Sequence, residues 1–198
     1  MNNSYRLDTR TIDEFKRTIK SYSKKEAIIA VRLGIHEYNK TNVYPPIYFT
    51  GVDGTGEYQE KVNSNPDFMI GDRLVEITQS AHPTRKGYYH QKCNKVEKII
   101  KLGSCIVYVD GFDTEAEPNT VVIEPERLKV LTDMSIKEFG IKNQPTSTSI
   151  SSKPAYRYRL SWTKDLEFPL PKLEGDLPQN YIDLLKIFNI NYEINIDA

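Results

Sequence analysis

Two carboxylates, Asp67 and Glu76, flank two short apolar runs that are joined by the dipeptide Gly71-Asp72. Gly-Asp suits a two-residue β-hairpin turn, and in that register Asp67 lies directly opposite Glu76. Opposed residues of an antiparallel pair have Cβ atoms about 4.5–5.5 Å apart, so two like charges there repel each other. A hard divalent cation such as Mg²⁺, which takes carboxylate oxygens and waters, would offset this repulsion. The pattern therefore predicts a metal site that contains Asp67 and Glu76.

Each carboxylate also has a purely structural interpretation. Asp67 could belong to a Pro-Asp turn that enters the strand, and Glu76 could face solvent at the edge of a sheet. Against this, Glu76 is flanked by Leu74, Val75 and Ile77, which indicate a buried strand. An unpaired carboxylate is costly in such a strand, and this favours the functional interpretation.

The segment Pro66-Asp67, eight further residues and then Glu76 resembles the motif of the PD-(D/E)XK, or restriction-endonuclease-like, nuclease superfamily. The resemblance extends over residues 24–124, in element order as well as in the motif. It implies that both acids bind Mg²⁺, or Mn²⁺ in its place, and that the protein hydrolyses phosphodiester bonds in DNA. The family also carries a lysine two residues after the second acid, where it positions or activates the attacking water. Here Thr78 occupies that position.

Some members of the family carry this lysine on the following helix, which the apolar pattern predicts here over residues 88–102. At about 100° per residue, Lys92 falls inside the apolar stripe of this helix and Lys95 falls at its border. Lys92 is therefore the first candidate, Lys95 the second, and Lys86 in the preceding loop the third. The alternative for Lys92 is that only its stem lies along the stripe while its ammonium reaches solvent.

Further candidates come from the first helix and from a basic segment after the hairpin. The resemblance implies that Glu26 is an auxiliary acid, whereas the spacing from Ser23 to Glu26 favours a helix-capping box. Arg85, Lys86 and Lys98 belong to a stretch that mixes basic and aromatic residues, as phosphate contacts with base stacking require. An ordinary solvated helix face is the alternative. In the segment 156–162, two arginines alternate with apolar residues and could also reach phosphate.

The order of the predicted elements is typical of an α/β fold with a mixed central sheet flanked by helices. Apolar periodicity and turn residues predict helices at 10–21, 24–39, 88–102, 126–139 and 179–188, and strands at 47–49, 66–70, 73–79, 104–109, 120–124 and 156–162. We expect a restriction-endonuclease-like core over 1–139, a mobile loop over 140–153, and a C-terminal strand and helix over 154–198 packed on the same domain.

The composition gives little support to any other class of function. With 27 basic and 27 acidic residues in 198, nucleic-acid binding would have to come from local clusters. Cys93 and Cys105 suit reduced core thiols, with a single disulfide as the alternative. No signal peptide or long apolar run stands in the sequence, so we expect a cytoplasmic protein with no membrane partner. The sequence thus predicts a Mg²⁺-dependent DNA endonuclease, acting alone or as a homodimer; the alternative is an inactive nuclease-like module that binds nucleic acid or protein.

Overall fold

The computed structural model describes residues 12–51, 65–84, 87–146 and 149–192. These residues form four helices: Ile12–Thr41 (α1), Cys93–Leu102 (α2), Pro125–Phe139 (α3) and Gln179–Ile187 (α4). They also form nine strands: Ile47–Phe49 (β1), Phe68–Ile70 (β2), Arg73–Gln79 (β3), Tyr88–Lys92 (β4), Cys105–Asp110 (β5), Asn119–Ile123 (β6), Lys142–Thr146 (β7), Ser149–Arg159 (β8) and Glu167–Pro169 (β9).

The strands of the described residues belong to two sheets. The larger sheet has the order β1-β2-β3-β5-β6-β9, and the smaller one has the order β4-β8-β7. Strand β3 is parallel to β5, whereas β5 and β6, and β6 and β9, are antiparallel. The predicted α/β class, a mixed central sheet flanked by helices, is confirmed. No helix in the described part of the chain has the length and apolar character needed to cross a membrane.

The chain divides into two compact units. The first combines the described residues before Val75 with those from Leu170 onward, and the second runs from Val75 to Pro169. These boundaries differ from the predicted ones at 139 and 153. Helix α4 belongs to the first unit and strand β8 to the second, so the C-terminal region is shared between the units.

In the first unit, α1 is a single helix of 30 residues. The helical pattern predicted over 10–21 and 24–39 is confirmed for the described residues, but the break between the two helices and the capping box that starts at Ser23 are wrong. Ser23 is buried within the helix. No glycine or proline occurs between Ile12 and Leu33 to end the helix, so the weak helix propensity of one serine does not interrupt it.

Close packing within the first unit depends on a glycine of α1. A Cβ atom built on Gly34 would lie 2.2 Å from the hydroxyl oxygen of Tyr181 on α4. That hydroxyl donates a hydrogen bond of 2.6 Å to the carbonyl of Pro45. Buried Arg32 donates to the carbonyls of Leu170 and Pro171 and so ties α1 to the segment that precedes α4.

In the second unit, the core lies among the large sheet, the small sheet, α2 and α3. Its members are Tyr89, Cys93, Val96, Ile99, Ile106, Tyr108, Val121, Ile123, Leu128, Leu131, Tyr156 and Tyr158. Tyr89 and Tyr108 stack with ring centroids 4.3 Å apart, which joins strand β4 to strand β5. Both cysteines are buried thiols that are not joined in a disulfide, as expected for core thiols.

Two predicted elements of this unit are wrong. The helix predicted over 88–102 begins only at Cys93, because Tyr88–Lys92 pairs antiparallel with β8. The mobile loop predicted over 140–153 instead contributes β7 and the start of β8, which pair with each other. The Ser/Thr-rich composition of that segment suits a solvent-facing strand as well as a loop, and only its partners distinguish the two.

Candidate functional site

Glu76 of β3 forms a close ion pair with a lysine of the next helix. Its Oε1 lies 2.6 Å from Lys95 Nζ, and the side chains of Glu76 and Lys95 are 16% and 32% exposed, respectively. In the parallel register Glu76 is the partner of Ile106, whose side chain belongs to the core of the second unit. The carboxylate therefore lies on the sheet face that α2 covers, where the reduced access of solvent strengthens the attraction.

The start of α2 explains why Lys95 contacts this carboxylate. The helix buries Cys93, Val96 and Ile99, so Lys95 stands next to the buried stripe. Lys98 lies one turn further along the helix, where the charges of Glu76 and Lys95 influence its pKa. Burial is the largest cause of a lowered pKa of Lys98; the Glu76 carboxylate opposes this shift and the Lys95 ammonium adds to it. Lys95 and Lys98 thus both interact electrostatically with the Glu76 carboxylate.

Lys92 lies in a different place from the one predicted. It is the last residue of β4 and precedes α2, so the argument that put it on the buried stripe of a helix is wrong. On β4 the side chains of Tyr89 and Gln91 are buried, and those of Tyr88, His90 and Lys92 alternate with them. Lys92 therefore projects from the opposite face of the small sheet.

Thr78, which occupies the family's lysine position, carries a buried hydroxyl. Within the described residues, Thr78 Oγ1, Tyr89 Oη and Gln91 Nε2 are buried without a hydrogen-bond partner. Burial raises the pKa of the Tyr89 phenol, so this group stays protonated. Buried polar atoms without partners are costly unless water or a ligand satisfies them.

Asp67 belongs to the first unit and is half-buried immediately before β2. Its carbonyl accepts hydrogen bonds of 3.1 Å from the backbone N–H groups of Thr50 and Gly51, which hold this part of the backbone. The two-residue turn after β2 is confirmed, with Gly71 at a φ of 63°. A positive φ at the first turn position is favourable for glycine. The joint role of Asp67 and Glu76 stays a prediction.

The other predicted site residues are distributed along the chain. Glu26 is half-buried within α1, in the first unit. Arg85 and Lys86 lie outside the described residues. Lys98 lies on α2, one turn after Lys95. The roles predicted for these residues stay predictions.

The sequence analysis missed a carboxylate at the end of β5. Asp110 accepts hydrogen bonds from the hydroxyls of Ser80 (2.6 Å), Thr84 (2.7 Å) and Tyr108 (3.1 Å), and from the Thr84 N–H at 3.0 Å. Burial alone would raise the pKa of Asp110, but these hydrogen bonds together hold it below its usual value. The sequence does carry a signal for Asp110: an acidic residue at the end of an apolar strand, directly before Gly111. The network ties the loop after β3 to the end of β5.

The structure bears on the predicted metal site through the carboxylates and other donor groups of the described residues. Within the described residues, no three His, Cys, Asp or Glu side chains form a group that could hold a metal ion. Mg²⁺ usually keeps several waters and takes only one or two carboxylates from a protein. Asp67 and Glu76 supply the carboxylate oxygens that this ion prefers, and the binding of a metal by this pair stays a prediction.

Comparisons with known proteins add no relative to this description. Neither the scan against family models nor the searches of curated proteins and of solved structures gave a significant match.

Proposed function

We propose that this protein is a Mg²⁺-dependent endonuclease that hydrolyses phosphodiester bonds in DNA. The observation that carries the proposal is the 2.6 Å contact between Lys95 Nζ and Glu76 Oε1. The resemblance requires a lysine beside the second acid, and the usual position holds Thr78. Lys95 supplies an ammonium at that acid from the following helix.

In this proposal Glu76 and Asp67 are the metal-binding acids. When bound, the metal would act as a Lewis acid toward the scissile phosphate and lower the pKa of an attacking water. The proposal of a shared metal depends on the sequence register of the hairpin.

The role of Lys95 follows from its contacts. An ammonium has three N–H donors, so Lys95 can hold Glu76 and still donate to a water or to a phosphate oxygen. Its charge would then stabilise the negative charge that develops on the phosphate in the transition state. Lys98, one turn away, would add to the positive potential that attracts the substrate.

A binding module without catalysis is the second candidate function. A partly buried lysine–glutamate pair also occurs as a structural ion pair, and its net stabilisation can be small. In that case Lys95 would only hold α2 against β3. The two functions differ in one observable, the cleavage of nucleic acid.

The test measures cleavage of supercoiled plasmid and of single-stranded DNA in Mg²⁺ and in EDTA. We expect the parent to cut only with the metal, and Glu76→Gln and Asp67→Asn each to lower the rate by at least about 10²–10³-fold. Glu117→Gln and Asp72→Asn, which change exposed acids, are the matched controls. If the parent cuts neither substrate, or if both site variants cut at the parental rate, the proposed function is wrong.

A further inference from the structure

The outer face of the small sheet carries a cluster of basic and aromatic residues. In the antiparallel register Tyr88 is the partner of Arg159, and His90 is the partner of Arg157. Lys92 follows on β4, two residues after His90. Because alternate residues of β4 and β8 are buried in the core, these side chains share the opposite face. We call this group, together with Phe139 of α3, the basic–aromatic face.

Arg157 is held in one orientation on this face. Its guanidinium carbon lies 4.5 Å from the ring centroid of Tyr88 and 5.2 Å from that of Phe139. Its Nε donates a hydrogen bond of 3.1 Å to Nε2 of His90. Ring contacts and a hydrogen bond thus fix the plane of the guanidinium, which reduces the entropic cost of binding a ligand.

The terminal amino groups of Arg157 have no acceptor among the described residues, in contrast to those of Arg159. Arg159 donates through Nε and Nη2 to one carboxylate oxygen of Glu138, at 2.7 Å from Nε, so an acid compensates its charge. No carboxylate of the described residues pairs with the half-buried Arg157. The free edge of its guanidinium presents parallel N–H donors, the geometry that a phosphate accepts in a bidentate manner.

We propose that the basic–aromatic face binds the phosphodiester backbone of a nucleic-acid strand, with Arg157 as its central phosphate contact. The proposal deepens the proposed function, because it names a surface that would hold the substrate outside the Glu76–Lys95 pair. Charge complementarity supports this occupant: Arg157 adds a positive charge to a face where Glu138 is already paired with Arg159. The rings of Tyr88 and Phe139 pack against the guanidinium and hold Arg157 in place for the phosphate contact.

The experiment measures binding of a fluorescent single-stranded oligonucleotide of about 20 nucleotides, longer than the roughly 4–16 that one single-strand-binding domain covers. Titrations in EDTA exclude cleavage. We expect Arg157→Gln to weaken binding about 10- to 100-fold and to lower the slope of log K against log salt by about 0.7. Lys129→Gln, which removes one exposed charge from α3, should leave both quantities unchanged.

A second variant covers the case in which Arg157→Gln does not fold, as judged by circular dichroism. Arg157→Lys keeps the charge but loses the planar fork, so we expect weaker binding with an unchanged salt slope. The proposal is overturned if the folded Arg157 variants bind like the parent, or if the parent binds no nucleic acid. It is also overturned if phosphatidylserine vesicles bind in the same Arg157-dependent way and the oligonucleotide does not displace them.

These outcomes are separate from those of the cleavage test. A parent that binds through Arg157 but never cuts supports this proposal and contradicts the proposed function. If the parent cuts DNA but its binding does not depend on Arg157, this proposal is contradicted and the proposed endonuclease function is not.

Discussion

Lys95 and Lys92 were the two leading candidates for one catalytic role, and the structure separates them. Lys95 pairs with Glu76 at 2.6 Å, whereas Lys92 ends strand β4 and alternates with the buried Gln91. Three residues of sequence separation thus place the two ammonium groups on different faces of the second unit. The contact with Glu76 makes Lys95 the lysine to test first, and the catalytic role of either lysine stays a prediction.

We predict that Lys95→Ala lowers the single-turnover cleavage rate in excess Mg²⁺ by about 10²–10³-fold, while Lys129→Ala, which removes an exposed charge from α3, leaves it near the parental value. The reason is that a charge acting on the water and on the transition state affects rate more than binding. A further variant, Thr78→Lys in the Lys95→Ala background, returns an amine to the family position and should restore part of the rate. Equal rates for parent and Lys95→Ala would contradict the assigned role.

We also predict that Asp67→Asn abolishes the binding of Mn²⁺ measured by calorimetric titration. Without metal, the same variant should be as stable as the parent or more stable, because it removes one of two carboxylates predicted to repel each other. Glu76→Gln should instead lose stability, since it leaves the partly buried Lys95 without its charged partner. Undiminished Mn²⁺ binding by Asp67→Asn would refute the metal assignment.

Asp110 gives a prediction about acid stability. Its pKa is lowered in the folded state, so its contribution to stability is present above the ordinary value of 3.8 and is lost as the pH falls through the folded value. Asp110→Asn should therefore reduce the free energy of unfolding by roughly 1–3 kcal/mol at neutral pH. The difference in the free energy of unfolding between the parent and Asp110→Asn should become smaller as the pH falls below 3.8. Urea unfolding across this range is the measurement, with Asp133→Asn, an exposed acid of α3, as control.

At the scale of elements, α1 and α4 pack closely because Gly34 has no side chain. We predict that Gly34→Ala destabilises the protein by roughly 1–3 kcal/mol, since its Cβ would lie 2.2 Å from the Tyr181 hydroxyl oxygen. The bond from that hydroxyl to Pro45 restricts the ring from moving away. At an exposed helix position a change to alanine stabilises, because alanine has the highest helix propensity. Ser21→Ala, at an exposed position of α1, is therefore the control that should stabilise the protein slightly. A higher melting temperature for Gly34→Ala would contradict this prediction, because it would show that Tyr181 moves away from the added Cβ atom at little cost.

Strand β4 shows how one element changes the function assigned to a residue. Tyr88–Lys92 has apolar residues at positions compatible with a helix, but it pairs with β8 along its whole length. The pairing moves the start of α2 to Cys93 and brings Lys95, rather than Lys92, to Glu76. The helical position predicted for Lys92 is therefore wrong, because it depended on where α2 begins.

At the scale of the whole molecule, equal numbers of basic and acidic residues mean that any binding of nucleic acid depends on local clusters. We predict that replacing Arg85, Lys86 and Lys98 together by alanine lowers the slope of log K against log salt on duplex DNA, by about 0.9 for each phosphate that the variant no longer neutralises. Fluorescence anisotropy at several salt concentrations measures this slope. Lys129→Ala is the charge control, and a parental slope for the triple variant would place the duplex contacts elsewhere.

Local features of the sequence determined much of the fold. Alternating or continuous apolar residues predicted the positions of β1, β3, β5 and β6, and Gly71-Asp72 predicted the hairpin turn. Pro125 and the following apolar spacing gave α3 nearly to the residue. These features can be predicted from the sequence because turns, helix caps and side-chain periodicity depend on residues that are close together in the chain.

Only the tertiary structure decided the rest, because strand pairing and ion pairs join residues that are distant in the sequence. Tyr88–Lys92 becomes a strand through β8, and the segment predicted as a mobile loop becomes β7 and part of β8 through their mutual pairing. The Lys95–Glu76 contact depends in turn on where α2 begins and on which sheet face it covers. The sequence by itself identified Glu76 as the acid to examine, and the packing of α2 on the sheet determined which lysine accompanies it.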